Sequence, residues 1–268
     1  MSILGIDYEK CNLCKNCVNE CPSYFSFDAD EKKINFSDPD NLCSRCNRCR
    51  CRCPEDAILH ENMEELLTFE GVQDPSTLIS YETLNNFMTA KRSIRRYKKK
   101  KVPRNVMEKI LTSMSQAPTG ANIRTLRCKI ISDEKTIKEL SDSVMDVLIA
   151  SSNAKYGEGA KLARERGFDA IFYHAPHVLI IHSNNPGDAT NAVIALARGM
   201  LSAQSLGLAS CWIGLASGVL KANKEIKQNI TRIKGEVWGV IIVGYPAARY
   251  FHAPPRPLIK TKGLDELE

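Results

Sequence analysis

Apolar residues recur at two spacings over the second two-thirds of the chain. Segments with apolar residues three or four positions apart predict helices, at 81–90, 106–114, 137–148 and 189–206. Short runs of consecutive apolar residues predict buried strands, at 127–132, 177–181 and 236–243. The last run has no polar face, so both of its sides should be covered. This pattern predicts an α+β layered fold, with helices packed over a central sheet.

Helix-ending and helix-starting residues refine this outline. Asp188 stands where an N-cap is expected, and Gly207 stands where the same helix should stop. Residues 61–67 have the spacing for two helical turns, after which glycine, aspartate and proline break the pattern. We therefore predict a module at 1–60, a linker at 61–80 and a larger domain at 81–268.

The length and charge agree with two domains. The chain has 268 residues and a formal net charge of +6. Residues 1–60 carry 8 Lys and Arg against 10 Asp and Glu, so the basic excess belongs to the remainder. No apolar run reaches the ~18 residues of a membrane span. The first residues bring acid and cysteine before any apolar core of a signal peptide, so we expect a cytoplasmic protein.

Eight of the eleven cysteines form two copies of one spacing, C-x2-C-x2-C-x3-C-P. They are Cys11, Cys14, Cys17 and Cys21, then Cys43, Cys46, Cys49 and Cys53. This run resembles that of bacterial ferredoxins with two 4Fe-4S clusters. Zinc and disulfides are the alternatives, but zinc ribbons supply separated pairs of ligands, and disulfides need an oxidising compartment.

In that pattern the fourth cysteine of each run reaches the other cluster. We therefore predict a crossed ligand assignment. One cluster would be held by Cys11, Cys14, Cys17 and Cys53, and the other by Cys43, Cys46, Cys49 and Cys21. Cys51 is an alternative to Cys53, although Pro54 favours Cys53 and leaves Cys51 as a spare thiol.

A second candidate site is the run Lys91-Arg92-Ser93-Ile94-Arg95. Guanidinium groups flanking a hydroxyl suit a terminal phosphate, because arginine binds oxyanions in a bidentate manner. Taken alone, a basic run is more often a solvated face. Aromatic residues are not interleaved through it, which argues against a nucleic-acid platform.

Five landmarks in order make the larger domain resemble the FMN-dependent nitroreductase family. They are the segments 92–95, 117–122, 175–181, 206–214 and 243–246, with Arg256 downstream. The resemblance implies an FMN-dependent oxidoreductase that forms a homodimer with FMN in the interface. No catalytic side chain is implied, because the flavin performs the chemistry.

The resemblance also implies roles for individual residues. Arg92, Arg95 and Arg256 would neutralise the phosphate, and Ser93 would orient it. Lys91 would belong to the same cofactor-binding set. Pro118, Thr119, Gly120 and Asn122 would complete the flavin site of the partner subunit, with Asn122 bonding the flavin ring or ribityl chain. Ile213 and Gly214 would act through backbone amides near flavin N5.

Some positions depart from the family or carry no role. Residues 123–127 replace a run found in many nitroreductases, so contacts of that run are not transferred. Residues 151–173 predict a substrate lid. His174 and His177 are interpreted as structural histidines, and Cys128 and Cys211 as buried small side chains.

Joining the two parts predicts a converter of single electrons into pairs. A ferredoxin or flavodoxin would reduce the clusters, the clusters would reduce FMN, and FMN would reduce a small nitroaromatic, enone or quinone. NAD(P)H as donor, and a non-enzymatic redox relay or sensor, remain alternatives. Arg45, Arg48, Arg50 and Arg52 would either steer an acidic donor or merely offset cluster charge.

Overall fold

The computed structural model describes residues 2–151 and 153–266, and it divides into two compact units. The first unit runs to Ile79 and includes Pro118–Arg124. The second comprises Ser80–Ala117 and the chain from Thr125 onward. Of the predicted domains and lid, Met1, Ser152, Leu267 and Glu268 lie outside the described residues.

The first unit is built from short elements around the two cysteine runs. These are β1 (Ser2–Ile6), α1 (Asn16–Glu20), β2 (Phe25–Asp28), β3 (Lys33–Phe36), α2 (Arg48–Arg52) and β4 (Ile58–Glu61). β1 pairs with β4 and β2 with β3, both antiparallel. Phe25, Ile34 and Ile58 are buried between them. The helical turns predicted at 61–67 are wrong, because Glu61 ends β4 and irregular chain follows it.

The second unit contains a four-stranded antiparallel sheet flanked by helices. Its elements are α3 (Tyr81–Thr89), α4 (Arg104–Ser115), β5 (Arg127–Ile131), α5 (Glu134–Ala150), α6 (Ala154–Glu165), β6 (His177–Ser183), α7 (Ala189–Ser205), β7 (Ala209–Trp212), α8 (Gly214–Ala222), α9 (Lys224–Thr231) and β8 (Glu236–Gly244). The strand order is β5-β6-β8-β7. Every predicted strand and helix of this domain is present, so the α+β prediction is confirmed.

Strand β8 explains why its sequence has no polar face. Val240 and Ile242 belong to the apolar core on one side of the sheet, and Ile241 and Val243 to the core on the other. All four side chains are fully buried. Since successive residues of a strand point to opposite faces, both faces of β8 need apolar side chains.

Both ends of α7 fall at the predicted residues, although Asp188 does not cap the helix with its side chain. Gly207 has a left-handed φ of 72° and ends the helix as expected. Asp188 occupies the N-cap position, but its side chain makes no capping hydrogen bond. Its buried carboxylate accepts hydrogen bonds from Thr125 (2.6 Å) and Asn191 (2.8 Å) instead. Burial raises the pKa of Asp188, but hydrogen bonds from Thr125, Ser183 and Asn191 lower it, and the net pKa is below the usual value.

None of the helices in the described ranges is both long and apolar enough to cross a bilayer.

Candidate functional site

The two cysteine runs adopt the same local structure. Leu13 and Lys15 of the first run have left-handed backbones, and so do Arg45 and Asn47 at the equivalent positions of the second. A five-residue helix follows in each case. The third cysteine of each run is buried and the second is exposed. The sequence repeat is therefore also a structural repeat.

The four thiols predicted for the first cluster line one small cavity. Cys11, Cys14, Cys17 and Cys53 surround it, together with apolar side chains that include Ile34. The backbone amide of Ala57 donates a hydrogen bond to Cys53 Sγ at 3.3 Å. Burial raises the pKa of the Cys17 thiol, and charges on Cys53 and Cys11 raise it further, against backbone hydrogen bonds that lower it. The run's own fourth cysteine, Cys21, does not line this cavity.

The thiols predicted for the second cluster are also neighbours. Burial raises the pKa of Cys49 to about 12, and charges on Cys21, Cys43 and Cys46 add to the increase. The pKa of Cys21 is raised by burial and then by Cys43 and Cys46. Thiols of this kind are neutral unless a cation favours the thiolate, and metal ligation supplies that charge. Cys21 and Cys53 are thus each near the opposite run, as the crossed assignment requires.

No three His, Cys, Asp or Glu side chains within the described ranges are placed to hold a single metal ion. Cys51 is exposed on α2.

The arginines of the second run do not form one uniform charged surface. Arg48 pairs with Glu20, and Arg52 approaches the same carboxylate at 3.8 Å. Arg45 donates to Asn41 at 2.7 Å. Arg50 is fully buried, where it donates to the Glu64 carbonyl at 3.1 Å, so its guanidinium is not exposed to steer a donor.

In the second unit, residues 91–98 form a strap along the ends of β7 and β8. Ser93 bridges to Ser210 of β7, and the Ile94 amide donates to the Ser210 carbonyl at 3.4 Å. Lys98 donates to the Tyr245 carbonyl at 2.9 Å, just beyond β8. The ammonium of Lys91 donates to the carbonyls of Arg92 and Ser210. These backbone contacts fix the strap, while the side chains of Ser93 and Arg95 remain exposed.

Two tyrosines support this strap, and sequence reasoning assigned neither a role. The Tyr97 hydroxyl donates to the Ile94 carbonyl at 2.6 Å, and burial raises its pKa. The guanidinium of Arg95 lies 5.6 Å from the centre of the Tyr173 ring. Tyr173 has a left-handed backbone, and its turn is organised by the Asp169 carboxylate. A positive φ at a tyrosine leaves no mark in the sequence.

The first turn of α8 lies directly after β7. Gly214 is exposed, and a Cβ at this position would meet no atom within 4 Å, so a planar group has room against the backbone. Ser210 is buried, and its hydroxyl has no hydrogen-bond partner among the described residues. The Ile213 amide, predicted to approach the flavin, instead donates to the Val240 carbonyl at 2.8 Å. That part of the prediction is corrected.

The loop Pro118–Arg124 belongs to the first unit. The carboxamide of Asn122 donates to the carbonyls of Ser44 (3.3 Å) and Arg45 (2.9 Å), and it accepts from Arg124 (3.0 Å). Ala121, Asn122 and Arg124 all have positive φ, and Thr119 accepts a hydrogen bond from the Arg124 amide. In this chain the carboxamide of Asn122 is thus held by the second cysteine run, and its predicted contact with the flavin of a partner subunit stays a prediction.

Comparison with protein families identifies the second unit. The model described as "Nitroreductase family" matches residues 88–245, more than half of the chain.

The chain belongs to the nitroreductase family.

This nitroreductase-family chain also matches a second family model, described as "4Fe-4S binding domain", at residues 4–24. The predicted fusion of a ferredoxin-type module with a nitroreductase-type oxidoreductase is thus confirmed. The 4Fe-4S match covers the first cysteine run alone. No curated protein matches the chain.

Solved structures show the same fold for the nitroreductase-family part. A nitroreductase with bound FMN from Bacteroides fragilis is 23% identical, with a TM-score of 0.57, over 67% of this chain and 97% of that one. A second, with bound FMN, from Desulfitobacterium hafniense is 19% identical, with a TM-score of 0.56, over 69% and 100%. An FMN-dependent nitroreductase from Clostridium difficile is 21% identical, with a TM-score of 0.55, over 66% and 97%.

The other residues singled out from the sequence of the nitroreductase-family part differ in exposure. Arg256 is exposed on the irregular segment after β8. His177 is buried, with one ring nitrogen accepting from the Val102 amide (2.8 Å) and the other bonded to Ser132 (2.6 Å), consistent with a structural role. Cys211 is buried and Cys128 is partly buried. The predicted lid contains helix α6.

Proposed function

We propose that the protein is an iron-sulfur flavoprotein that carries electrons from a small low-potential donor, through two 4Fe-4S clusters, to FMN. The final acceptor would be a small organic molecule of the nitroaromatic, enone or quinone type. The observation that carries this proposal is the structural repeat of the two cysteine runs on a chain of the nitroreductase family. When bound, the clusters supply one-electron transfer, and FMN supplies both one- and two-electron chemistry.

For the clusters, we propose the crossed ligand sets. Cys53 lines the cavity of the first run, and Cys21 lies near the thiols of the second. The buried Cys17 and Cys49 place one ligand of each set in the apolar core, away from water. The Ala57 amide would stabilise the thiolate of Cys53 by its hydrogen bond.

For FMN, we propose that the strap holds the phosphate. Arg92 and Arg95 would neutralise it, and Ser93 would donate a directional hydrogen bond. Lys91 is held against backbone carbonyls, so we assign its charge a supporting role. The ring would lie against Gly214, where the backbone leaves room. Arg256 would contribute to the same phosphate.

We also propose a homodimer. Helix α3 buries none of its side chains, and Tyr81 is 81% exposed. On the segment after β8, Phe251, Leu258 and Ile259 are each more than three-quarters exposed. Apolar surface of this extent suits burial in a partner. A monomer at micromolar concentration that still retains FMN would contradict the dimer.

The cluster count is tested on protein purified without oxygen. We expect about eight iron and eight sulfide per chain, with about one FMN. About four iron would reduce the proposal to one cluster, and zinc in place of iron would refute it.

The crossed ligands are tested by paired substitutions. If Cys21 and Cys43 serve one cluster, Cys21→Ala, Cys43→Ala and the double variant should each lose the same ~4 iron. If each run instead holds its own cluster, the double variant should lose both clusters. The matched control is the double variant Cys21→Ala/Cys11→Ala. It should lose both clusters under the crossed assignment, and one cluster if each run holds its own.

The donor is tested by anaerobic stopped-flow with reduced ferredoxin, NADH and NADPH. We expect ferredoxin to reduce the protein fastest, at a rate that falls as salt rises, because exposed arginines attract an acidic donor. Arg48→Gln should weaken this salt dependence. Fast reduction by NADPH with no reduction by ferredoxin would replace the proposed donor with a nicotinamide.

A further inference from the structure

A cavity of about 280 Å³ lies at the β5 side of the sheet in the second unit. Its walls come from the start of β5, the end of β6 and the turn between α9 and β8. Five basic side chains line it: Arg127, Lys129, His182, Arg232 and Lys234. None of its ten lining residues, all in the described part of the chain, carries a carboxylate.

The sheet register brings three of these groups together. Arg127 of β5 lies directly opposite His182 of β6. Lys129 is two positions further along β5, so it lies on the same face as Arg127. Arg127 and Lys129 therefore place two permanent cations on one side of the cavity, beside His182.

The turn fixes the other two cations. Arg232 ends α9 with a left-handed φ of 60°, a conformation that favours glycine or asparagine. At Gly235 a Cβ would lie 2.6 Å from the side-chain oxygen of Asn184, so the turn packs closely against the end of β6. This close packing holds Arg232 and Lys234 at the wall of the cavity.

Local electrostatics agree with this arrangement. The pKa of His182 is lowered by burial and then by the charges of Arg127 and Lys129. The adjacent carboxylate, Glu236, lies 4.0 Å from Lys227, which does not line the cavity. The cavity walls therefore carry positive charge without an acidic partner among them.

We propose that this cavity binds a small anion bearing two adjacent phosphate groups, such as a diphosphate or a diphosphate ester. Guanidinium groups bind phosphate oxygens in pairs, and four permanent cations suit the charge of a diphosphate better than that of one phosphate. The volume is just below the ~300 Å³ at which sites for drug-sized ligands begin, so a small ligand fits. Strands β6 and β8 separate β5 from β7, so this site is distinct from the strap proposed to hold FMN.

Calorimetry with pyrophosphate and the cofactor-loaded full chain tests the proposal. We expect one site per chain, with affinity at least about tenfold lower in Arg127→Gln/Arg232→Gln. The charge-matched control is Lys109→Gln/Lys135→Gln, two exposed lysines on α4 and α5, which should bind normally. Proton NMR of His182, assigned with His182→Gln, should show its pKa rising when pyrophosphate binds, because the anion favours the imidazolium.

Four results would overturn the proposal. The first is no binding at ~10 mM pyrophosphate. The second is an equal loss of affinity in the control pair, which would indicate nonspecific charge attraction. The third is loss of FMN from the Arg127→Gln/Arg232→Gln variant, which would assign the cavity to the flavin site. Binding of an acidic polypeptide without pyrophosphate would also overturn it and indicate a protein-docking surface.

Discussion

Replacing Asn122 tests whether its side chain binds the flavin or holds the loop of the second cysteine run. The family resemblance places Asn122 on the flavin, whereas the structure places its carboxamide on the Ser44 and Arg45 carbonyls. We predict that Asn122→Ala loosens the loop of the second cysteine run and leaves FMN binding unchanged. Asn122→Asp keeps the size of the side chain but cannot donate, so it should behave like the alanine variant.

The magnitude follows from the two donated hydrogen bonds. One is exposed and long at 3.3 Å, and the other is partly buried at 2.9 Å. A hydrogen bond contributes about 0.5–1.5 kcal/mol net, so their loss should cost about 1–2 kcal/mol of local stability. About 1.4 kcal/mol corresponds to a tenfold change in an opening equilibrium. Backbone amides over 43–46 and 119–124 should therefore exchange about tenfold faster.

The assay is hydrogen exchange read by mass spectrometry, alongside the FMN content of the same preparation. Ile123→Ala is the matched control, because Ile123 lies in the same loop with an exposed side chain. It should change neither quantity. Unchanged exchange at 43–46 together with loss of FMN in Asn122→Ala would refute this reasoning and restore the flavin contact.

Three further predictions concern stability and ligation. Burial lowers the pKa of His177 in the folded protein, so as pH falls the unfolded chain binds a proton at this histidine before the folded protein does. The neutral imidazole of His177 therefore favours folding fully above pH ~6.5. This stabilisation is lost as pH falls from there toward the lowered pKa of the folded state. Urea unfolding at several pH values should show this loss in the native chain and a smaller one in His177→Gln. Gly239→Ala places a Cβ 2.8 Å from the Trp212 ring and should lower the free energy of unfolding by about 1–3 kcal/mol. Its control is Gly218→Ala on α8, where a Cβ would have open space, so this variant should leave stability unchanged or raise it. Thermal melting measures both. Cys51→Ser should retain full iron content; loss of about four iron would make Cys51 a ligand.

The helices and strands of the second unit were predictable because each is specified by the order of apolar, polar and helix-ending residues within its own segment. The apolar run of β8 predicts burial on both faces, and the structure has a core on each side of it. Gly207 predicts the end of α7, because few other residues adopt its left-handed backbone. Such signals lie within a few residues of the feature that they predict.

Long-range contacts account for features that the local sequence did not predict. Asp188 has the sequence of a helix cap, but Thr125, distant in the chain, takes its carboxylate. Arg50 has the sequence of a surface arginine, but the Glu64 carbonyl and the surrounding core hold it inside. In both cases the hydrogen-bond partner is one that the local sequence does not specify, although Nε and Nη2 of Arg50 have no partner among the described residues.

The two cysteine runs show how a structural repeat can persist where the sequence diverges. The 4Fe-4S family model matches 4–24 and not the second run, whose intervening residues include four arginines. The left-handed residues nevertheless occur at the same positions in both runs, at Leu13 and Lys15 and at Arg45 and Asn47. Positive φ at non-glycine residues costs free energy, so its recurrence requires a common cause in both halves. Wrapping a short chain so that three thiols face one centre is such a cause, and it acts on the backbone whatever the side chains between the cysteines are.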